Sequence, residues 1–223
     1  MDPVAAPLLR VSDDPTADCA AAIARHLGDA LGARGRATLA VSGGSTAPPL
    51  FAALARRDVD WSRVEVWQVD ERVAPDGDAD RNATQLSALP AASHLMPVTA
   101  PDLPAAATDY ASSLPDRFDV VHLGMGPDGH TASWPPGDPV IDDSAPVGVS
   151  QPYQGRVRMT LTPGVVNAAV HRCVLLLGAD KAEALADWVA GDGDVPIARV
   201  APPDTVVFTD TAAAALAIGS EPA

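Results

Sequence analysis

The sequence predicts an α/β fold, a mostly parallel sheet with helices on both faces, folded as a single domain over residues 1–223. Three observations carry that expectation. Short apolar runs rich in β-formers alternate with Ala-rich stretches at helical spacing, as in repeated βαβ units. With 223 residues, 47% of them apolar and 20% charged, the chain can bury one substantial core, and the composition is not that of a disordered chain. No internal repeat and no long linker divides it.

Taken in order, Leu8 to Ser12 reads as a strand. Thr16 to Leu31 reads as a helix, with Ile23, Leu27 and Leu31 recurring on one face. Ala37 to Val41 is a buried strand running into Ser42-Gly43-Gly44-Ser45-Thr46, and a helix follows from about Pro48 to Arg57 because proline suits a first helical turn. Val64 to Val69 is a strand ending in Asp70-Glu71-Arg72, then come turns over 74–80 and a short helix from about Asn82. Phe118 to Leu123 is a strand ending in Gly124-Met125-Gly126-Pro127-Asp128-Gly129-His130, and the proline-rich stretch Trp134 to Pro152 is expected to be irregular. Arg156 to Leu161, Cys173 to Leu177 and Val206 to Thr209 complete the strands, with helices near Pro163 to Val170, Lys181 to Ala190 and Thr211 to Ala217. Parallel α/β sheets bind ligands beyond the carboxyl ends of their strands, so the strand-end motifs are expected to meet at one site.

Fifteen basic against 29 acidic side chains give a formal charge of −14, which repels nucleic acid and anionic membrane. An anionic substrate would need a focused pocket of guanidinium, ammonium and backbone N–H groups. No apolar run reaches the roughly 18 residues of a spanning helix, and the opening Met1-Asp2-Pro3 lacks the basic start of a secretory signal, so a cytoplasmic location is expected. Cys19 and Cys173 read as buried free thiols. His26, His94, His122 and His171 lack metal-like spacing, and no metal site is expected.

Ser42 to Thr46 joins strand to helix with two glycines, a geometry that lets backbone N–H groups approach a phosphate; a tight turn capped by Ser45 or Thr46 fits the same residues. It lacks the GK[ST] ending of a P-loop. Gly124 to Gly129 matches G-x-G-x-x-G, but the prolines at 127, 135, 136, 139 and 146 leave no room for the long helix of a dinucleotide site. What remains is a glycine-framed Asp128-Gly129-His130, whose imidazole suits proton transfer at neutral pH or is simply a solvent-exposed loop histidine. In Asp70-Glu71-Arg72 the guanidinium can fork onto a phosphate while a carboxylate orients a water or an imidazole; ordinary surface charge is the plainer alternative. Lys181, the only lysine, starts a helix just past a strand end, and Arg156 and Arg158 alternate toward one face, solvent being favoured for Arg156. No G-x-S-x-G elbow appears.

In this order, SGGST, DER followed by Arg81-Asn82, LGMGPDGHTAS, RMTLTP and GADKAEAL resemble the 6-phosphogluconolactonase family, from about Ser12 to Leu216. The resemblance implies a Rossmann-like sheet shared with glucosamine-6-phosphate deaminases and ribose-5-phosphate isomerases. It implies hydrolysis of 6-phospho-D-glucono-1,5-lactone to 6-phosphogluconate in the oxidative pentose phosphate pathway, without a cofactor, by a monomer or weak homodimer. His130 would activate water and protonate the departing ring oxygen, oriented by Asp128 or Asp70. Gly43, Gly44, Ser45, Thr46, Arg72, Lys181 and Arg158 would hold the 6-phosphate, and backbone N–H groups of Gly124 to Gly129 the oxyanion. Three departures stand out. Ala47 precedes the prolines after SGGST; Trp134-Pro135-Pro136 replaces Leu-Phe-Pro after HTAS; and Asp138 to Gln154 carries no assigned role. A deaminase-isomerase would carry Phe-Asn-Glu-Pro after its DGH loop, which is missing here, and a noncatalytic sugar-phosphate sensor would have no reason to keep the Asp128–His130 pair.

Overall fold

A computed structural model of the chain describes residues 6–191 and 194–218, so the opening Met1-Asp2-Pro3 lies outside it. Strand β1 (Leu8–Val11) leads into helix α1 (Pro15–Arg34). That helix starts where the Asp14 carboxylate accepts the Ala17 N–H at 3.0 Å and Pro15 presets the first turn, and it stops at Gly35, left-handed at φ 73°. β2 (Ala37–Val41), α2 (Ala47–Ala55), β3 (Val64–Gln68), β4 (Asp70–Arg72), α3 (Ala83–Leu86), β5 (Ala92–His94), α4 (Leu103–Ser112) and β6 (Val120–Leu123) follow. The second half adds β7 (Val147–Val149), β8 (Arg158–Leu161), α5 (Pro163–Ala168), β9 (His171–Leu176), α6 (Ala182–Ala190), β10 (Thr205–Thr209) and α7 (Thr211–Ile218).

Seven strands form one parallel sheet in the order β1-β10-β9-β6-β2-β3-β5. Its central strands are apolar on both sides because both sides are covered. On one face Ile23, Leu27, Leu50 and Phe51 of α1 and α2 pack on Leu39, Val120 and Leu175. On the other, Tyr110 of α4 and Leu185 and Trp188 of α6 pack on Val121, Leu123 and Val174. From β2 the chain winds outward through β3 to β5, then returns to lay β6 on the opposite side of β2 and winds away through β9 to β10. The loops leaving β2 and β6 therefore diverge and open a crevice between them, the usual binding position in such sheets.

The mostly parallel sheet is as expected, with one addition. Asp70–Arg72 and Arg158–Leu161 do not extend the parallel sheet but form a second, antiparallel one, β4-β8-β7. Val69 joins the two, donating its N–H to Val41 O at 2.9 Å and accepting that of Leu161 at 2.7 Å. Three elements have no counterpart in the sequence reading. β5 is three residues of which Ala92 and Ser93 are exposed and His94 half-buried, β7 is a Val-Gly-Val inside the stretch expected to be irregular, and α4 has the Asp102 cap but only a weak apolar stripe. Each is held by partners remote in sequence, and local pattern cannot report that.

His122 in β6 is fully buried, T-shaped against Phe51 with ring centroids 6.3 Å apart, and neither ring nitrogen has a hydrogen-bond partner among the described residues. Burial lowers its pKa from 6.5 to about 4. The fold thus favours the neutral ring, so stability is complete above about pH 6.5 and declines, by about 1.4 kcal/mol per pH unit, as pH falls toward 4. His122→Leu, which replaces an unsatisfied ring by an apolar chain, is expected to match or exceed the wild-type melting temperature at pH 7 and to gain on it further at pH 5. Melting scans at the two pH values check this; equal losses at both would contradict it. Cys19 and Cys173 are free and buried, and burial and the neighbouring Cys173 thiol push Cys19 well above the ordinary thiol range.

Candidate active site

A cavity of about 330 Å³ opens at the crevice. It is lined by the loops after β2, β6 and β9 and by the small antiparallel sheet. Gly43, Gly44, Ser45, Thr46, Asp70, Arg72, His130, Arg158 and Lys181 all face it, while Asp128 stands behind His130.

The loop after β2 needs its first glycine for a steric reason. A Cβ at Gly43 would lie 2.2 Å from Asn82 Oδ1, so the two chains meet only if residue 43 has no side chain. Gly44 is left-handed at φ 110°, and its N–H is already taken by Gln85 Oε1 at 3.1 Å. Of the expected cradle, Gly44 has thus spent its N–H, while Gly43, Ser45 and Thr46, directly ahead of α2, line the cavity.

The acidic-basic triplet divides its labour. Glu71, fully buried, accepts the N–H groups of Arg72, Asn82 and Ala83 and the Gln68 amide, each at 2.8 Å, and lies 3.0 Å from Arg81 Nε. It anchors Asn82 against Gly43 and has no freedom for catalysis. Asp70 accepts from Ser133 Oγ at 2.6 Å and from Asn82 Nδ2. Burial raises its pKa against the pull of Ser133, Arg72 and Arg158. The imidazole's carboxylate is therefore Asp128, and Asp70 instead fixes the pocket floor.

Arg72 and Arg158 stand directly opposite each other across β4 and β8. Like charges in that register repel. Each nevertheless keeps a buried Nε with no hydrogen-bond partner among the described residues, and Arg158 is only 4% exposed, burial lowering its pKa. An anion between the two guanidiniums removes the repulsion and uses the idle donors. Arg156 turns away and pairs with Asp78 and Asp80 at 3.2 and 3.0 Å.

The loop after β6 is folded around its histidine. Gly126 N–H donates to His130 O at 2.8 Å, and a Cβ at Gly126 would come within 2.1 Å of the His130 ring. Gly129 is left-handed at φ 79°, packed on Val195. His130 Nδ1 lies 2.5 Å from Asp128 Oδ1; since a carboxylate only accepts, Nδ1 carries the proton and Nε2 is left as the base. Burial opposes the Asp128 charge, but the Tyr153 hydroxyl and the His130 ring hold its pKa below the ordinary carboxylate value. The glycine-rich turn is a poorer oxyanion hole than expected: the Gly126 and Gly129 amides are consumed within the loop and Pro127 has none. Trp134, at the departure from the family pattern, is fully buried with its indole N–H on Leu161 O at 2.8 Å, so it fills the core and not the pocket wall.

Lys181 closes the far rim, its Nζ 2.8 Å from Asp180 Oδ2. The other histidines stay apart: His94 stacks on Trp67 and His26 on His171. Tyr153 and Gln154, beside the Asp128–His130 pair, were not singled out from the sequence; the available signal is Gln154-Gly155, a two-residue turn between Tyr153 and Arg156, which lacks the asparagine or aspartate of the commonest hairpins.

A doubly wound sheet with a cationic cavity at its switch point and a carboxylate-held imidazole on the rim is the arrangement of an enzyme with a small-molecule site beyond its strand ends. The chain belongs to the family described as glucosamine-6-phosphate isomerases/6-phosphogluconolactonase, which matches residues 11–209. It is 37% identical over 206 residues to the 6-phosphogluconolactonase of Rhizobium meliloti, with 84% of this chain and 85% of that one covered. A crystal structure of a 6-phosphogluconolactonase from Shewanella baltica superposes with a TM-score of 0.83 at 28% identity, covering 93% of this chain and 98% of the other. A monomeric glucosamine-6-phosphate deaminase superposes almost as well, with a TM-score of 0.82 over 95% of this chain and 100% of that one, but at 18% identity. That likeness shows the fold alone. Among the described residues, no helix is long and apolar enough to cross a membrane.

Proposed function

We propose that this cavity hydrolyses 6-phospho-D-glucono-1,5-lactone to 6-phospho-D-gluconate, the lactonase step of the oxidative pentose phosphate pathway. The observation that carries the reading is the pairing, in one cavity, of an Asp128-held His130 with two opposed guanidiniums. His130 Nε2 takes a proton from water as the oxygen attacks the lactone carbonyl carbon. The tetrahedral intermediate collapses, the bond from carbonyl carbon to ring oxygen breaks, and the imidazolium returns its proton to that oxygen. Arg72, Arg158 and Lys181, with the Ser45 and Thr46 donors, hold the 6-phosphate. A deaminase would need a carboxylate after the DGH loop for ring opening. Here Trp134 is in the core, and the next acid, Asp138, is spent on the Val140 and Gln151 amides at 2.9 Å each.

The test is proton release by pH-stat on freshly generated lactone, where the protein is expected to outrun spontaneous hydrolysis. No acceleration by folded protein, with ammonia released from glucosamine 6-phosphate, would overturn the reading. Lys181→Ala is expected to raise KM about tenfold and leave kcat within about twofold, because the phosphate it holds is remote from the carbonyl. Initial rates across substrate concentration check this, and an unchanged KM would place the phosphate elsewhere.

A further inference from the structure

The Asp128 carboxylate sits on a turn with its side chain 36% exposed, and its oxygens are free to exchange places by rotation unless both are held. Oδ1 takes the His130 ring N–H at 2.5 Å and, more weakly, the His130 amide at 3.3 Å. Oδ2 takes one donor, the Tyr153 hydroxyl, at 2.5 Å. That hydroxyl has a single proton, and Gln154 Nε2, donating to its oxygen at 3.2 Å, directs the proton to Asp128. The phenol is itself fixed. Its ring meets the His130 ring edge-on with centroids 5.2 Å apart, and the Arg158 guanidinium lies 5.2 Å from its centre. Tyr153 and Arg156 are bridged by a two-residue turn with Gln154 at φ 50° and Gly155 at φ 78°, and Arg156 ties that turn to Asp78 and Asp80.

We propose that Tyr153 is a positioning residue for the hydrolysis: by holding Oδ2 of Asp128 it keeps Oδ1 on the His130 Nδ1 proton and so keeps Nε2 facing the cavity as the base. The inference rests on the lactonase reading above and deepens it. Arg158 Nη2 donates to Gln154 Oε1 at 3.2 Å, so an unbroken chain of hydrogen bonds runs from a phosphate-binding guanidinium through Gln154, Tyr153 and Asp128 to the base. Burial, then the hydrogen bond to Asp128 and the Asp128 charge, raise the Tyr153 pKa to about 12, so the hydroxyl remains a donor across the working range. The other charged groups around the pair are Arg158 and Arg72 with Asp70 on the small sheet, and Lys181 with Asp180 across the cavity.

Tyr153→Phe keeps the ring and removes the proton that Asp128 receives, and Tyr153 is partly exposed, so the fold is expected to stand. Relative to wild type, kcat on the lactone is expected to fall about tenfold with KM changed by less than about twofold. The acid limb of the rate profile is expected to move upward by about half a pH unit, because a carboxylate that has lost a donor holds the imidazolium more tightly. In an Asp128→Asn background the same change should cost under about twofold, since the two act as one unit. An equal fall in both backgrounds, an effect confined to KM, or an unchanged kcat and pH profile would overturn the positioning role while leaving the lactonase intact. A wild-type protein that fails to accelerate lactone hydrolysis would overturn both.

Discussion

His130→Gln is expected to lower kcat on 6-phosphogluconolactone by roughly 10²- to 10⁴-fold, toward the spontaneous rate, while 6-phosphogluconate binds nearly as well as before. The expectation follows from geometry. Nδ1 is committed to Asp128 and Nε2 is the ring's one basic atom, whereas an amide in its place has no basic nitrogen. The proposed phosphate contacts lie on other elements, chiefly Arg72 of β4, Arg158 of β8 and Lys181 ahead of α6. Pre-steady-state or pH-stat rates and calorimetric titration of the product separate the two effects. A variant with wild-type kcat would remove the imidazole from the mechanism; a variant that no longer bound product would show that the loop had collapsed.

Glu71→Ala is expected to be the most damaging change away from the base, costing about 3–5 kcal/mol of folding stability. It would leave Arg81, 5% exposed, without its buried partner, and three backbone N–H groups and the Gln68 amide without an acceptor. Urea unfolding followed by circular dichroism checks it. Because the Asn82 and Ala83 amides hang on this carboxylate, any folded fraction should also bind phosphate poorly, Asn82 no longer lying against Gly43. A loss under about 1 kcal/mol would mean that water replaces the carboxylate, contrary to its complete burial.

The parallel layers were legible because their strands are apolar runs and their helices carry caps that local sequence displays, as Asp14, Pro15 and Gly35 do for α1. The small sheet was not legible. Asp70 to Arg72 reads as the charged end of a strand, and its pairing with Arg158 to Thr160 is about ninety residues away in the chain. The site divided along the same line. Gly43, Gly126 and His130 declare themselves by motif, whereas the assignment of Asp128 over Asp70, and the fixed roles of Glu71 and Asn82, depend on which groups burial leaves to be satisfied. Tyr153 was invisible because its importance lies in one hydroxyl meeting one carboxylate oxygen across 25 residues.

The opposed guanidiniums of β4 and β8 have a consequence for turnover. In the proposed function they would hold only the phosphate, which the reaction does not alter, so this end of the cavity would grip lactone and acid alike. Any difference in affinity between the two must arise at the other end. Ring opening there would create a carboxylate facing the His130 imidazole, with the Asp128 charge, preserved by Tyr153 and His130, behind that ring. On that reading the product would be disfavoured where it is new and retained where it is old, and its escape would begin from the end at which the bond was cut.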